Sequence, residues 1–183
     1  MLFRSVSPLI EQALHHMGEL EFGKARVLLE RAVQMEPRNL TVLEHLFTID
    51  KQTPELPQFH LTTQRLLKRL MQDASGYGAA CKIYKEYTLH AHPPRLTADL
   101  YLLVCKALSA TGAMDEARRL LVMLIRKVPD LIGLPTALLK LSQAYFNCGR
   151  EKSWQVCLQT IRDRYPMSPE AQIARKQLTQ KAR

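Results

Sequence analysis

The chain has 183 residues, of which 46% are hydrophobic, so it is long enough and apolar enough to bury a sizeable core. Its 7 glycines and 10 prolines are too few for a low-complexity or disordered chain. The formal net charge of +9 is compatible with an acidic protein, an anionic membrane surface or a nucleic acid as partner.

Helical periodicity runs through most of the chain. Apolar side chains recur at offsets of three, four and seven, which places them on one stripe of an α-helix. Valine, isoleucine and threonine never alternate over the length of a strand, so no sheet is predicted. In chain order, the predicted helices span residues 4–17, 22–36, 39–51, 57–73, 76–90, 96–111, 115–128, 133–148, 151–165 and 168–182. The predicted fold class is all-α.

Three of these helices share one spacing. Each has a packing residue, then apolar residues three, four and seven positions further on, then a proline twelve positions on, which cannot continue a helix interior. The three sets are Ala25, Leu28, Leu29, Ala32 and Pro37; Ala117, Leu120, Leu121, Leu124 and Pro129; and Trp154, Cys157, Leu158, Ile161 and Pro166. Five positions before each set stands a turn residue, which is Leu20 in the first copy and Gly112 and Gly149 in the others. Another amphipathic helix precedes each turn, so the unit is helix, tight turn, helix.

This unit resembles the tetratricopeptide repeat, a helix–turn–helix of 34 residues with a turn glycine, a small residue in the second helix and a late proline. Trp154 stands where the family has the small residue. The resemblance implies a single domain over 1–183, folded as a right-handed α-α superhelix of about ten antiparallel helices. Its repeats would lie near 6–39, 61–93, 98–131 and 135–168, with an extra helix at 39–51 and a capping helix at 168–182.

The middle of the chain fits the repeat least well. Gly76, Ala80 and Tyr84 hold the phase of the degraded repeat, but Pro93 comes one position late. One continuous solenoid is the favoured interpretation. The alternative is a hinge between an N-terminal helix pair and a C-terminal array.

The resemblance also implies a non-enzymatic scaffold or adaptor that binds another protein. In that family the first helices of successive repeats line a concave groove, which holds an extended peptide or a partner helix. The matching positions here are Met17, Asp99, Leu102, Lys106, Gln143, Phe146 and Asn147. For Leu102, packing against a neighbouring helix is an equally good interpretation.

The C-terminal end is strongly basic. Residues 150–183 carry eight basic and three acidic side chains, and Arg175, Lys176 and Lys181 form a candidate basic face. A solvated face of a capping helix explains this most simply, and binding of RNA or another polyanion is the alternative. Only Trp154 and Tyr165 lie nearby, both on the apolar stripe, whereas a nucleic-acid surface interleaves aromatic and basic side chains.

No catalytic motif is present in the sequence: there is no glycine-rich phosphate loop, no histidine–glutamate helix motif and no nucleophile elbow. The histidine clusters are His15–His16 and the His90–His92 pair, which has only Glu86 as a nearby carboxylate. His16 is interpreted as a packing or groove residue. We therefore predict no enzyme activity, no cofactor and no metal site.

The cysteines are far apart in the sequence and indicate a reducing compartment, although their even number leaves a disulfide open. No signal peptide or membrane span is recognised. The motif Arg164–Ala171 is similar to repeats in bacterial envelope-assembly proteins and in cytoplasmic tails of bacterial membrane proteins. A bacterial, cytoplasmic domain of a larger membrane-linked protein is the first hypothesis, and an envelope-side structural or assembly repeat protein is the alternative.

Overall fold

The computed structural model describes residues 5–91 and 93–181, and it is all-helical. Within those ranges there are ten α-helices, a short 3₁₀ turn at Ala74–Gly76 and no β-strand. The helices are α1 Ser7–Gly18, α2 Phe22–Met35, α3 Leu40–Asp50, α4 Pro57–Leu70, α5 Tyr77–His90, α6 Ala98–Ala110, α7 Met114–Lys127, α8 Leu134–Asn147, α9 Glu151–Arg164 and α10 Pro169–Lys181. The predicted helices are confirmed, and their ends agree to within a turn. In the described part of the chain, no helix is both long and apolar enough to cross a membrane.

The helices form two compact units, Met1–Arg95 with α1 to α5 and Leu96–Arg183 with α6 to α10. In the first unit α1 pairs with α2 and α3 with α4, and α2 packs on α3 and α4 on α5. In the second, α6 pairs with α7 and α8 with α9, both α6 and α7 pack on α8, and α10 packs on α8 and α9. Stacked helix pairs of this kind are the packing of an α-solenoid. A single domain over 1–183, like the hinge, stays a prediction.

The same turn joins the helices of three pairs. Each turn has three residues, and its last N–H donates to the carbonyl five positions back: Glu21 to His16 (2.9 Å), Ala113 to Leu108 (2.8 Å) and Arg150 to Tyr145 (2.9 Å). Its middle residue is left-handed, with φ of 85° at Gly112 and 68° at Gly149. This is the Schellman ending of a helix, and it explains the repeated glycine of the sequence pattern.

The first copy of this turn is strained. Leu20 occupies the left-handed position with φ of 62°, and its side chain is 74% exposed. In this conformation Cβ lies too close to the following carbonyl oxygen, which costs roughly 1–2 kcal/mol relative to glycine. The exposed leucine has little buried surface to offset that cost.

Leu20→Gly is therefore expected to raise the free energy of unfolding of the first unit by about 1 kcal/mol, because it removes the strain and loses almost no buried surface. Urea denaturation of the two proteins measures the difference. Gly112→Leu is the reverse change at the matching turn and is expected to destabilise by a similar amount. A Leu20→Gly protein that unfolds at lower urea than the parent would contradict the assignment of strain.

The core of the first unit contains a buried ionic contact that joins α2, α3 and α4. The carboxylate of Asp50 is 4% exposed. Arg26 Nε donates to its Oδ1 at 2.8 Å, and Thr62 Oγ1 donates to its Oδ2 at 2.7 Å. Both carboxylate oxygens are thus paired, as a buried charge requires.

A second polar contact in this unit holds the segment that follows α5. Tyr87 is fully buried, its ring packs on Phe59, and its hydroxyl accepts the backbone N–H of Arg95 at 2.7 Å. The same hydroxyl lies 2.7 Å from Nδ1 of His60. Burial, with a smaller contribution from the charge of Arg95, lowers the pKa of His60. The ring is therefore held neutral near pH 7, and a neutral Nδ1 can accept a hydrogen bond from the Tyr87 hydroxyl.

Candidate functional site

The candidate site lies in the second unit, and its first wall is the last turn of α8. Gln143, Phe146 and Asn147 are three and four positions apart, so one face of the helix presents all of them. All three side chains are exposed, and the ring of Phe146 is 57% exposed. The buried stripe of this helix, which includes Leu138, Leu141 and Tyr145, faces the core instead.

Trp154 of α9 supports this face. It occupies the position that holds Ala25 and Ala117 in the other copies of the spacing, and all three are buried. Its rings lie against Phe146, with centroids 5.5 Å apart and a tilt of 50°. The tryptophan therefore places a large aromatic surface where the other repeats have a methyl group.

Helix α10 supplies the opposite wall. Gln177 and Gln180 are three positions apart and face the end of α8. The start of α10 is tied to the start of α8 by Thr136 Oγ1, which donates to Glu170 Oε1 at 2.6 Å. A serine N-cap begins the helix, since Ser168 Oγ accepts the N–H of Ala171 at 3.2 Å.

Together these side chains line an open cavity of about 510 Å³. This volume lies within the range of small-ligand and side-chain pockets. Its lining is aromatic and amide, with no charged side chain among the described residues that form it: Gln143, Phe146, Asn147, Trp154, Gln177 and Gln180. Among the described residues, Gln177 Oε1 has no hydrogen-bond partner although the atom is buried. Because the atom is inaccessible to water, the side chain must rotate before this oxygen can accept from a ligand.

A polar contact fixes the turn between α8 and α9. This turn sets the positions of Phe146 and Trp154 relative to each other. The guanidinium of Arg150 donates two hydrogen bonds of 3.0 Å to the carboxylate of Asp115, and it lies 5.0 Å from the ring centroid of Tyr145. The hydrogen bonds from Arg150 hold the pKa of Asp115 below its ordinary value. Helix α9 begins at this turn, and the N–H of Trp154 donates to the carbonyl of the N-cap residue Arg150 at 3.1 Å.

The structure brings together three of the predicted partner-binding residues, Gln143, Phe146 and Asn147. The other four do not line the cavity. Asp99 and Lys106 are exposed on α6, and Leu102 is half-buried on that helix and packs against Gly133. Met17 belongs to the first unit and packs, half-buried, on the core of α1 to α3. Their part in partner binding stays a prediction.

Gln177 and Gln180 are not among the residues predicted from the sequence, and the sequence pattern places Trp154 on the apolar stripe alone. Two glutamines three positions apart on a terminal helix could have indicated a polar face, but nothing in the sequence pairs that face with α8. The predicted basic face is present in part on the same helix. Arg175 and Lys176 are exposed, and Arg175 donates to the carbonyl of Pro166 at 3.2 Å. The side chain of Lys181 lies outside the described residues.

Cys105, Cys148 and Cys157 are free thiols, and of these Cys148 is exposed. Burial raises the pKa of Cys105 to about 12 and that of Cys157 to about 11. Both remain protonated at neutral pH, which does not suit a nucleophile or a metal ligand.

No protein-family model matches the chain, and no curated protein matches it either. Among solved structures, a thermophilic TPR protein of Thermus thermophilus is similar, with 16% sequence identity and a TM-score of 0.40. The similarity covers 92% of this chain and 96% of that chain. A likeness this distant carries nothing about function, so the site itself must indicate what the chain binds.

Proposed function

We propose that the chain is a non-enzymatic adaptor whose second unit binds a short segment of a partner protein in the cavity between α8, α9 and α10. The composition of that cavity is the observation that supports this proposal. One exposed aromatic ring, Phe146, rests on a buried one, Trp154, and four side-chain amides surround them.

This composition suits a peptide better than a charged metabolite. The Phe146 ring offers a flat apolar surface to one hydrophobic side chain of the partner, and aromatic anchors of this kind dominate many interfaces. Each glutamine or asparagine amide carries both a donor and an acceptor, so it can pair with the N–H and C=O of a peptide backbone. Gln177 Oε1 has no donor in this structure, and a rotation of the side chain would let it accept a backbone N–H.

Charge would add selectivity around the cavity. Residues 96–183 carry 14 basic and 7 acidic side chains, a net of +7, whereas residues 1–95 carry 12 and 10, a net of +2. Arg175 and Lys176 stand on α10 next to Gln177. A segment with a hydrophobic anchor and flanking acidic residues therefore fits best, since opposite charge speeds association and orients the partner.

Phe146→Ala is expected to weaken binding of such a segment at least tenfold, because truncation of a central aromatic anchor costs about 2 kcal/mol or more. The measurement begins with selection of peptides from a displayed random library on the immobilised full chain. Fluorescence polarisation then gives the Kd of each selected peptide for the parent and the variant.

Val156→Ala is the matched control, since Val156 is also an exposed apolar residue, at 56%, but does not line the cavity. It should leave the Kd unchanged, whereas Gln177→Leu should raise it by removing the buried acceptor. Peptides that bind Phe146→Ala and the parent equally well would show that the cavity is not the site.

The setting proposed for this adaptor is the cytoplasm, as part of a larger membrane-linked protein. Free thiols are usual in reducing compartments and support this setting. An envelope-side structural role is the alternative, and it would use the same cavity with a different partner.

A further inference from the structure

Three metal-ligating side chains, His16, Glu19 and Glu21, meet at the turn between α1 and α2, and His15 lies beside Glu19. His15 and His16 come from the last turn of α1, and Glu19 and Glu21 from the turn itself. Donor atoms of His16, Glu19 and Glu21 all lie within 4.8 Å of one another. This turn is the strained one, in which Leu20 stands between the two glutamates.

The donor spacing is close to that of a first coordination shell. His16 Nδ1 lies 2.7 Å from Glu21 Oε2 and 3.9 Å from Glu19 Oε2, and His15 Nε2 lies 3.4 Å from Glu19 Oε1. A tetrahedral Zn²⁺ with ligand bonds near 2.0–2.1 Å separates its donors by about 3.4 Å. Shifts of about one ångström or less in the donor atoms of His16, Glu19 and Glu21 would therefore bring them to the required distances.

The turn itself does not require these residue types. The two other turns with the same hydrogen bonds have Leu108, Thr111 and Ala113, or Tyr145, Cys148 and Arg150, at the positions of His16, Glu19 and Glu21. The fold therefore does not require the histidine and the two glutamates at these positions. This set also differs from an acidic cluster, because the imidazoles favour transition ions over Mg²⁺ or Ca²⁺.

We propose that His16, Glu19 and Glu21 bind one divalent transition ion such as Zn²⁺, with water completing its coordination. The ion would join the end of α1 to the start of α2. His16 binds it through Nδ1 and keeps its proton on Nε2. This proposal departs from the prediction of no metal site, which considered the histidines without the glutamates of the turn and stays untested.

Lys24 competes with the ion. Its ammonium donates to Glu21 Oε1 at 2.6 Å, and the lysine is 64% exposed. Binding of the ion must displace this positive charge from the carboxylate. Removal of the charge by Lys24→Gln should therefore tighten binding, an effect that a merely structural ion pair would not produce.

Isothermal titration of the untagged full chain with ZnCl₂ and, separately, MgCl₂ tests the proposal. The parent for these titrations carries Cys148→Ser, because an exposed thiol is a competing ligand. We expect one Zn²⁺ per chain, with affinity at least a hundredfold above that for Mg²⁺. His16→Gln and Glu19→Gln should each weaken Zn²⁺ binding at least tenfold, and Lys24→Gln should strengthen it threefold or more.

His90→Gln is the matched control, since it removes an exposed helical histidine outside the cluster, and it should leave the Zn²⁺ affinity unchanged. Far-UV circular dichroism of each variant confirms that the helices are retained. The proposal is overturned if the parent shows no Zn²⁺ binding at millimolar concentration, if His16→Gln binds as tightly as the parent, or if His90→Gln abolishes binding.

Discussion

Replacement of Asp50 by alanine is expected to lower the free energy of unfolding of the first unit by about 2–3 kcal/mol. The carboxylate is buried, and its two oxygens accept from Arg26 and Thr62 on the neighbouring helices. Removal of the acid leaves the guanidinium of Arg26 without that partner and the hydroxyl of Thr62 without its acceptor. Arg26 keeps Glu30 as an acid partner at 3.1 Å, so most of the cost comes from the lost contacts and from the buried hydroxyl of Thr62.

Urea denaturation measures this change, and hydrogen exchange locates it in α2, α3 and α4. Asp163→Ala removes an exposed acid, 59% exposed and paired with Arg162, and should cost less than about 1 kcal/mol. The triple change Arg26→Met, Asp50→Leu and Thr62→Val should recover most of the stability, since apolar groups of similar volume can replace a buried ionic contact. A loss below about 1 kcal/mol for Asp50→Ala alone would show that the carboxylate is hydrated in solution.

Gly76→Ala is expected to destabilise the first unit by about 3 kcal/mol, because overpacking against a backbone that cannot move is costly. A Cβ at this position would lie 2.0 Å from the carbonyl oxygen of Leu70 and 2.9 Å from its carbonyl carbon. The backbone angle is ordinary, with φ of −83°, so the requirement for glycine comes from the close approach of the chain at the end of α4 and not from a left-handed conformation. The clash would force α4 and α5 apart.

Gly78→Ala is the matched control, two positions further on and inside α5. A Cβ there would meet nothing within 4 Å, and alanine favours a helix over glycine. This change should raise the free energy of unfolding by about 0.5 kcal/mol. Urea denaturation of both variants measures the contrast. Equal effects at the two positions would contradict the close approach seen at Gly76.

The repeated unit was predictable because its signals are local. Ala25, Ala117 and Trp154 open the same spacing in the sequence, and all three are buried at the same place in their helix pairs. The left-handed turn position was equally visible at Gly112 and Gly149. Leu20 looked like a departure from the pattern, yet its backbone adopts the same conformation, since the hydrogen bonds of the turn fix that angle whatever the side chain.

Part of the candidate site was also predictable. The family resemblance pointed to Gln143, Phe146 and Asn147, and they share a helix face for a local reason. Gln177 could not be predicted, because its place opposite Phe146 depends on how α10 packs on α8 and α9. Arg26 and Asp50 are 24 positions apart and show no periodic relation, so their pairing was likewise invisible.

The amino-acid sequence by itself determined that this protein is a set of helix pairs joined by tight turns, since an apolar offset and a left-handed turn act within a few residues. Only the tertiary structure decided which polar groups meet: the amides around Phe146, the acid between three helices, and the histidines and glutamates at the first turn. The physical reason is that contacts between helices depend on how side chains of different size fit together. A tryptophan in place of an alanine changes such a fit without any change in the helical pattern.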